Sequence, residues 1–141
     1  VSREDPLYAR ESIRTADVAS SGQLWLLDEG HCFRDQMVRF CQMKASQSSQ
    51  LAYGLGSMET FMRMVESGMG ITFIPELASL QLNDSQKELL RPFAIPVPTR
   101  ELVLLTNRNF IRQTLLNVLV SEIQACIPKN MLKLNAGQAL V

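Results

Sequence analysis

The sequence predicts an α/β fold with a sheet that is at least partly parallel. Short apolar runs closed by glycine or proline alternate with longer segments of helical period, and 46% of the 141 residues are hydrophobic, enough to fill a core. The length suits one compact domain or part of a larger one.

The elements follow in order. After an irregular start, "QLWLLDEG" (Gln23 to Gly30) reads as a short buried strand stopped by acidic residues and glycine. From Cys32 the period changes. Phe33, Met37, Phe40 and Cys41 fall on one helical face, while Arg34, Asp35, Gln36, Arg39 and Gln42 take the polar positions. "KASQSSQ" (Lys44 to Gln50) suits a mobile loop. "SMETFMRMVESGMG" predicts a second helix, with Ser57 as N-cap, Met58, Phe61, Met62 and Val65 on its core face and Gly68 as its stop. "ITFIP" reads as a strand closed by Pro75, "PELASLQL" as a short helix, and "AIPVPTR" (Ala94 to Arg100) as an extended, proline-marked connection. Beyond it, "ELVLLTN" reads as a strand, and Phe110 to Ile127 as a strongly apolar helix carrying Ile111, Leu115, Val118, Leu119 and Ile123.

Charge narrows the functional classes. Fourteen basic residues balance fourteen acidic ones, so this piece lacks the basic excess that phosphate backbones attract. If the intact protein binds DNA, another segment does it. No run reaches the roughly 18 apolar residues of a membrane span, and the polar opening does not read as a signal peptide, which makes the cytoplasm the expected location. Three cysteines are too few for a disulfide scaffold, and a reducing compartment would make any disulfide transient and functional.

Two of those cysteines, Cys32 and Cys41, lie in "GHCFRDQMVRFC", with His31, the only histidine, beside the first. If one helix runs from Cys32 through Cys41, the two Cα atoms stand about 13 Å apart along its axis. A disulfide needs them within about 7 Å. Oxidation and the helix would then exclude each other, a pattern that suits a switch. Cys32 would sit in the first turn, where a helix N-terminus favours an anion, with Arg34 and His31 near to add donors or positive charge.

Three readings stay open on spacing alone. Two unrelated buried or half-buried thiols are the plainest, since free cysteine is among the most buried residue types. A reactive pair is the second. A metal site of His31, Cys32 and Cys41 is the weakest, because adjacent residues point apart and no fourth ligand is evident. Taken singly, His31 suits an ordinary hydrogen-bonded side chain, Arg34 and Asp35 a solvated helix face, the Met58 to Val65 stripe the core, and Cys126 a structural place at the edge of the last helix's apolar stripe.

The order of "LLDEGHCFRDQMVRFC", "GSMETFMRMVESGMGITFIPELA" and "PTRELVLLTNR" resembles the regulatory domain of the peroxide-sensing branch of the LysR-type transcriptional regulators. The resemblance covers most of the chain. Its cysteine element is specific to the sensors, and the "SxET" to "GIT..P" block is shared more widely among LysR-type domains. It implies an α/β regulatory domain resembling type 2 periplasmic binding proteins, here one full subdomain plus part of the other. Residues 1–99 would be the second regulatory subdomain with the redox pair, and residues 100–141 the returning strand and C-terminal helix of the first. The family's N-terminal winged helix-turn-helix, linker helix and first half-subdomain would lie outside this stretch.

By that resemblance Cys32 is the peroxide-reactive cysteine and Cys41 resolves its sulfenic acid into an intramolecular disulfide. His31, Arg34 and Asp35 match the surroundings of the reactive sulfur. Arg100 matches an arginine brought near the pocket from the interdomain crossover, and Ser57 and Thr72 stand where LysR-type domains line the cleft between subdomains. The implied partners are hydrogen peroxide, a glutaredoxin-like or thioredoxin-like reductant, further copies in a homodimer or homotetramer, DNA through the winged helix-turn-helix, and RNA polymerase. No cofactor, metal or membrane is implied. Two other functions compete: a thiol peroxidase, whose usual Pro-x-x-x-Thr-x-x-Cys element is missing, and a LysR-type module for a small-molecule effector in which the cysteines are incidental.

Overall fold

The computed structural model describes residues 1–19, 21, 23–28, 31–41 and 57–141. Its elements are α1 (Thr15–Ala19), β1 (Leu24–Trp25), α2 (Cys32–Phe40), α3 (Met58–Glu66), β2 (Ile71–Thr72), α4 (Glu76–Ser79), α5 (Asp84–Lys87), β3 (Val97–Thr99), α6 (Gln113–Cys126) and β4 (Gln138–Leu140), with 3-10 turns at Pro6–Ala9 and Lys129–Met131. The polar loop expected over 44–50 and the polar position Gln42 lie outside the described residues.

β1 and β2 pair in parallel, Leu24 opposite Ile71 and Trp25 opposite Thr72. Successive strand residues point to opposite faces, and the core divides accordingly. Leu24 and Leu26 enter one cluster with Leu7, Ile13, Val18, Met37, Cys41 and Ile71, beneath α2. Trp25 enters the other with Phe61, Val65 and Leu89, beneath α3. The Trp25 ring stacks on Phe61 with centroids 6.4 Å apart, and its indole N–H donates to the Met69 carbonyl at 3.0 Å. Such a pair satisfies the polar atom while burying two large rings.

Local signals account for the helix that carries Ser57. The Ser57 hydroxyl accepts from the Thr60 N–H at 3.2 Å and caps α3, Phe61 and Val65 face inward, and Gly68 ends the turn at φ +91°. Gly70 has a packing reason of its own: a Cβ there would meet the Gln23 carbonyl oxygen at 2.3 Å, so a side chain would force β1 and β2 apart. The Asn83 cap of α5 forms a reciprocal capping box with Gln86.

The second half departs from expectation. "ELVLLTN" forms no strand: residues 101–107 carry no regular structure, and Leu102, Val103, Leu104 and Leu105 are all exposed. A strand needs a neighbouring ladder, and none of the described strands pairs with them. The proline-marked connection supplies β3 instead, which pairs in parallel with β4 at Val97 and Gln138, Pro98 and Ala139, and Thr99 and Leu140. α6 begins at Gln113, and its apolar stripe (Ile111 just before it, then Leu115, Val118, Leu119 and Ile123) is exposed. Cys126 at its end is exposed too, so its structural role is not met by packing among the described residues. None of the described helices is long and apolar enough to cross a membrane.

Candidate redox site

α2 begins at Cys32 and ends at Phe40, with Cys41 as its C-cap and the Cys41 N–H donating to the Met37 carbonyl at 3.0 Å. Both cysteines are free thiols. The helical reading is therefore met, and the two Cα atoms stand about 13 Å apart by helical rise, beyond the reach of a disulfide. Their surroundings differ. Cys32 is exposed in the first turn, whereas Cys41 is 4% exposed inside the first core cluster. Burial pushes the Cys41 thiol from 9.0 up to about 11, so at neutral pH it keeps its proton.

The amphipathic pattern explains the orientation of α2. Met37 and Cys41 are buried and Phe33, Val38 and Phe40 pack on the cluster's edge, while Arg39 faces out. One residue breaks the pattern. Arg34, placed by periodicity on a solvated face, is only 7% exposed; its guanidinium lies 3.5 Å from the half-exposed Asp35 carboxylate. It extends inward, where it lines a cavity of about 10 Å³ together with Trp25, Phe33, Met58, Thr72 and Phe73, room for about one water molecule. The long arginine stem can lie along apolar neighbours, which is why a polar letter does not fix a solvated face.

The remaining candidates fall as follows. His31 is the exposed N-cap of α2, without a side-chain capping bond. Arg100 comes from beyond β3 to lie over the Phe33 ring, 5.3 Å from its centroid. That contact places it beside the residue after Cys32. Thr72 shares the cavity with Arg34, but its hydroxyl already donates to the Trp25 carbonyl at 3.0 Å and so ties β2 to β1. Ser57 is exposed and occupied as the α3 cap, one residue before Met58 at the cavity wall. Among the described residues no three histidine, cysteine or acidic side chains are grouped to hold a metal ion.

Periodicity and motif reading missed a set of contacts that tie α2 to distant parts of the chain. The Phe40 ring meets Phe93 edge-on at 5.9 Å, Phe93 stacks on Phe73 at 5.8 Å, and the Gln36 amide donates to the Val141 carbonyl at 3.4 Å. The partners are separated by tens of residues, and no local pattern encodes such pairs.

Comparisons with known proteins agree with this architecture. The crystal structure of reduced OxyR from Porphyromonas gingivalis superposes with a TM-score of 0.87 at 51% identity, covering 100% of this chain and 64% of that one. A hydrogen peroxide-inducible genes activator from Dickeya chrysanthemi is 33% identical over 102 residues, 72% of this chain and 33% of the relative. The DNA-binding transcriptional dual regulator OxyR of Escherichia coli K12 is 39% identical over 75 residues, 53% of this chain and 24% of the relative. The chain thus spans a third or less of the length of these two curated relatives. The LysR substrate binding domain matches residues 1–126, and with nearly nine-tenths of its length so matched, the chain belongs to the LysR substrate-binding domain family.

Proposed function

We propose that this chain is the regulatory part of a transcription regulator that senses hydrogen peroxide through a Cys32–Cys41 thiol–disulfide switch. One observation carries the reading: an exposed thiol and a buried thiol stand at opposite ends of a single helix, so the disulfide requires that helix to open. The likeness to OxyR-named relatives supports it.

The chemistry balances in two steps. The Cys32 sulfur attacks one peroxide oxygen, the O–O bond breaks, and the leaving hydroxide takes a proton as water, leaving a sulfenic acid. Arg34, His31 and Arg100 are the groups assigned to hold the anion and the departing oxygen, with Asp35 paired to Arg34 at 3.5 Å and Ser57 and Thr72 at the cavity's edge. Cys41 then attacks the Cys32 sulfur, the S–S bond forms and a second water leaves. A dithiol reductant of the glutaredoxin or thioredoxin class returns two electrons and two protons. Residues 1–99 act as the second regulatory subdomain, which carries the switch, and residues 100–141 as the returning segment and C-terminal helix of the first. The whole protein, as a dimer or tetramer in the cytoplasm, passes the change to DNA and RNA polymerase.

The test is thiol counting by mass spectrometry before and after one equivalent of peroxide. Loss of two thiols as one Cys32–Cys41 crosslink supports the sensor. Continuous peroxide consumption with many turnovers per chain would favour a thiol peroxidase. A transcriptional response that survives loss of both cysteines would favour a small-molecule effector module.

A further inference from the structure

We propose that Phe93 is a positioning residue for this switch: a fixed wall that holds Phe40 and thereby sets how readily Cys32 and Cys41 form their disulfide. The proposal rests on the thiol–disulfide reading above. Closing the bond requires the cysteines to approach from about 13 Å to within about 7 Å. Cys41 cannot travel without Phe40, its chain neighbour and the last residue of α2. Phe40 is half-buried and meets Phe93 edge-on, 5.9 Å between centroids at 88°, a favoured geometry for an aromatic pair.

Phe93, by contrast, is anchored on elements that carry neither redox cysteine. Its ring stacks on Phe73, just after β2, at 5.8 Å. Its backbone is fixed on both sides, because the Ile13 N–H donates to the Pro92 carbonyl and the Ala94 N–H to the Ile13 carbonyl, each at 2.9 Å. The Phe40–Phe93 contact therefore exists only while α2 stays helical to its end. It stabilises the dithiol, and neither Phe40 nor Phe93 lines the cavity beside Arg34, at the opposite end of the helix.

The test is a titration of the intact protein in glutathione buffers of varied ratio, where glutathione disulfide takes the two electrons and two protons released as the S–S bond forms. Phe93→Leu is expected to shift the dithiol–disulfide equilibrium toward disulfide by about three- to tenfold, tenfold being about 30 mV more negative. The rate of Cys32 sulfenic acid formation should equal that of the wild type. Phe93→Tyr, which keeps the ring, should restore the wild-type midpoint, and Phe40→Leu should match Phe93→Leu, with little further change in the double variant. If Phe93→Leu fails to fold, Phe93→Met serves the same comparison. A wild-type midpoint in the Phe93 variants, or fully additive shifts in the double variant, overturns the role of Phe93 and leaves the switch standing. Failure of the wild type to form a Cys32–Cys41 disulfide at any ratio overturns both.

Discussion

Cys32 and Cys41 occupy the two ends of α2 in opposite environments, the first exposed and the second 4% exposed within the core. The same nine-residue helix thus presents one sulfur to solvent and withholds the other. Native-state alkylation should read this difference directly. At pH 8, iodoacetamide should modify Cys32 and Cys126 quickly. Cys41, its thiol raised from 9.0 to about 11, should react roughly a hundredfold more slowly than it would at its ordinary value, from its thiolate fraction alone, and more slowly still from burial. Equal labelling of all three thiols in the folded protein would contradict the burial of Cys41.

The unequal settings also separate the two cysteines by role. Cys32→Ser should abolish rapid reaction with peroxide. Cys41→Ser should leave that first step intact and let sulfenic acid or mixed disulfides accumulate, since no second thiol lies on the helix to condense with it. Stopped-flow oxidation followed by sulfenic acid trapping distinguishes the steps. Equal loss of the first step in both variants would reverse the assignment.

Stability should carry the mark of the buried thiol at alkaline pH. The folded chain holds the Cys41 proton up to about 11, and the unfolded chain releases it near 9.0. Between those values the unfolded state binds fewer protons, so stability falls as pH rises: the contribution is whole below about pH 9 and lost above about pH 11. Two pH units correspond to on the order of 2–3 kcal/mol. Urea unfolding of the wild type and Cys41→Ser should therefore show a stability gap that changes by about that amount between pH 8.5 and 11. A gap independent of pH would mean that Cys41 titrates alike in both states.

Arg34 and Arg100 approach the reactive end differently, and their variants should differ in stability. Arg100→Ala removes an exposed cation from the Phe33 face and should cost about 0.5–1 kcal/mol. Arg34→Ala vacates a side chain that is 7% exposed and should cost about 1–3 kcal/mol through lost packing. Each should slow peroxide reaction at least about tenfold, because a positive donor stabilises the departing oxygen. Wild-type rates in both would remove these arginines from the site.

The sequence made α2 legible because its information is local. A 3.6-residue period set Met37 and Cys41 inward, and Ser57 and Gly68 marked the limits of α3. Arg34 was misplaced for a physical reason: its long apolar stem can run inward even from a polar position. "ELVLLTN" was misread because a β-prone segment becomes a strand only against a partner ladder, and exposed Leu102 to Leu105 have none among the described strands. The capping box at Asn83 and Gln86 is likewise a local signal, carried by residues three apart. Phe93 was not readable at all, since nothing near it in the chain announces Phe40.

Hydrogen exchange across α2 tests the central conflict between helix and disulfide. In the reduced protein the backbone from Cys32 to Phe40 is helical, the Asp35 N–H donates to the His31 carbonyl at 3.1 Å and the Cys41 N–H to the Met37 carbonyl at 3.0 Å, and Met37 and Cys41 lock the helix to the core. Amides toward its C-terminal end should therefore be protected by opening rather than by solvent access. Once the S–S bond draws the ends within about 7 Å, those hydrogen bonds cannot all persist, and residues 36–41 should exchange at least about a hundredfold faster. α3, anchored separately by Phe61 and Val65, should keep its protection. Unchanged exchange over 36–41 in a sample with a verified Cys32–Cys41 disulfide would show that the bond closes without opening the helix, and the mechanical basis of the switch would fail.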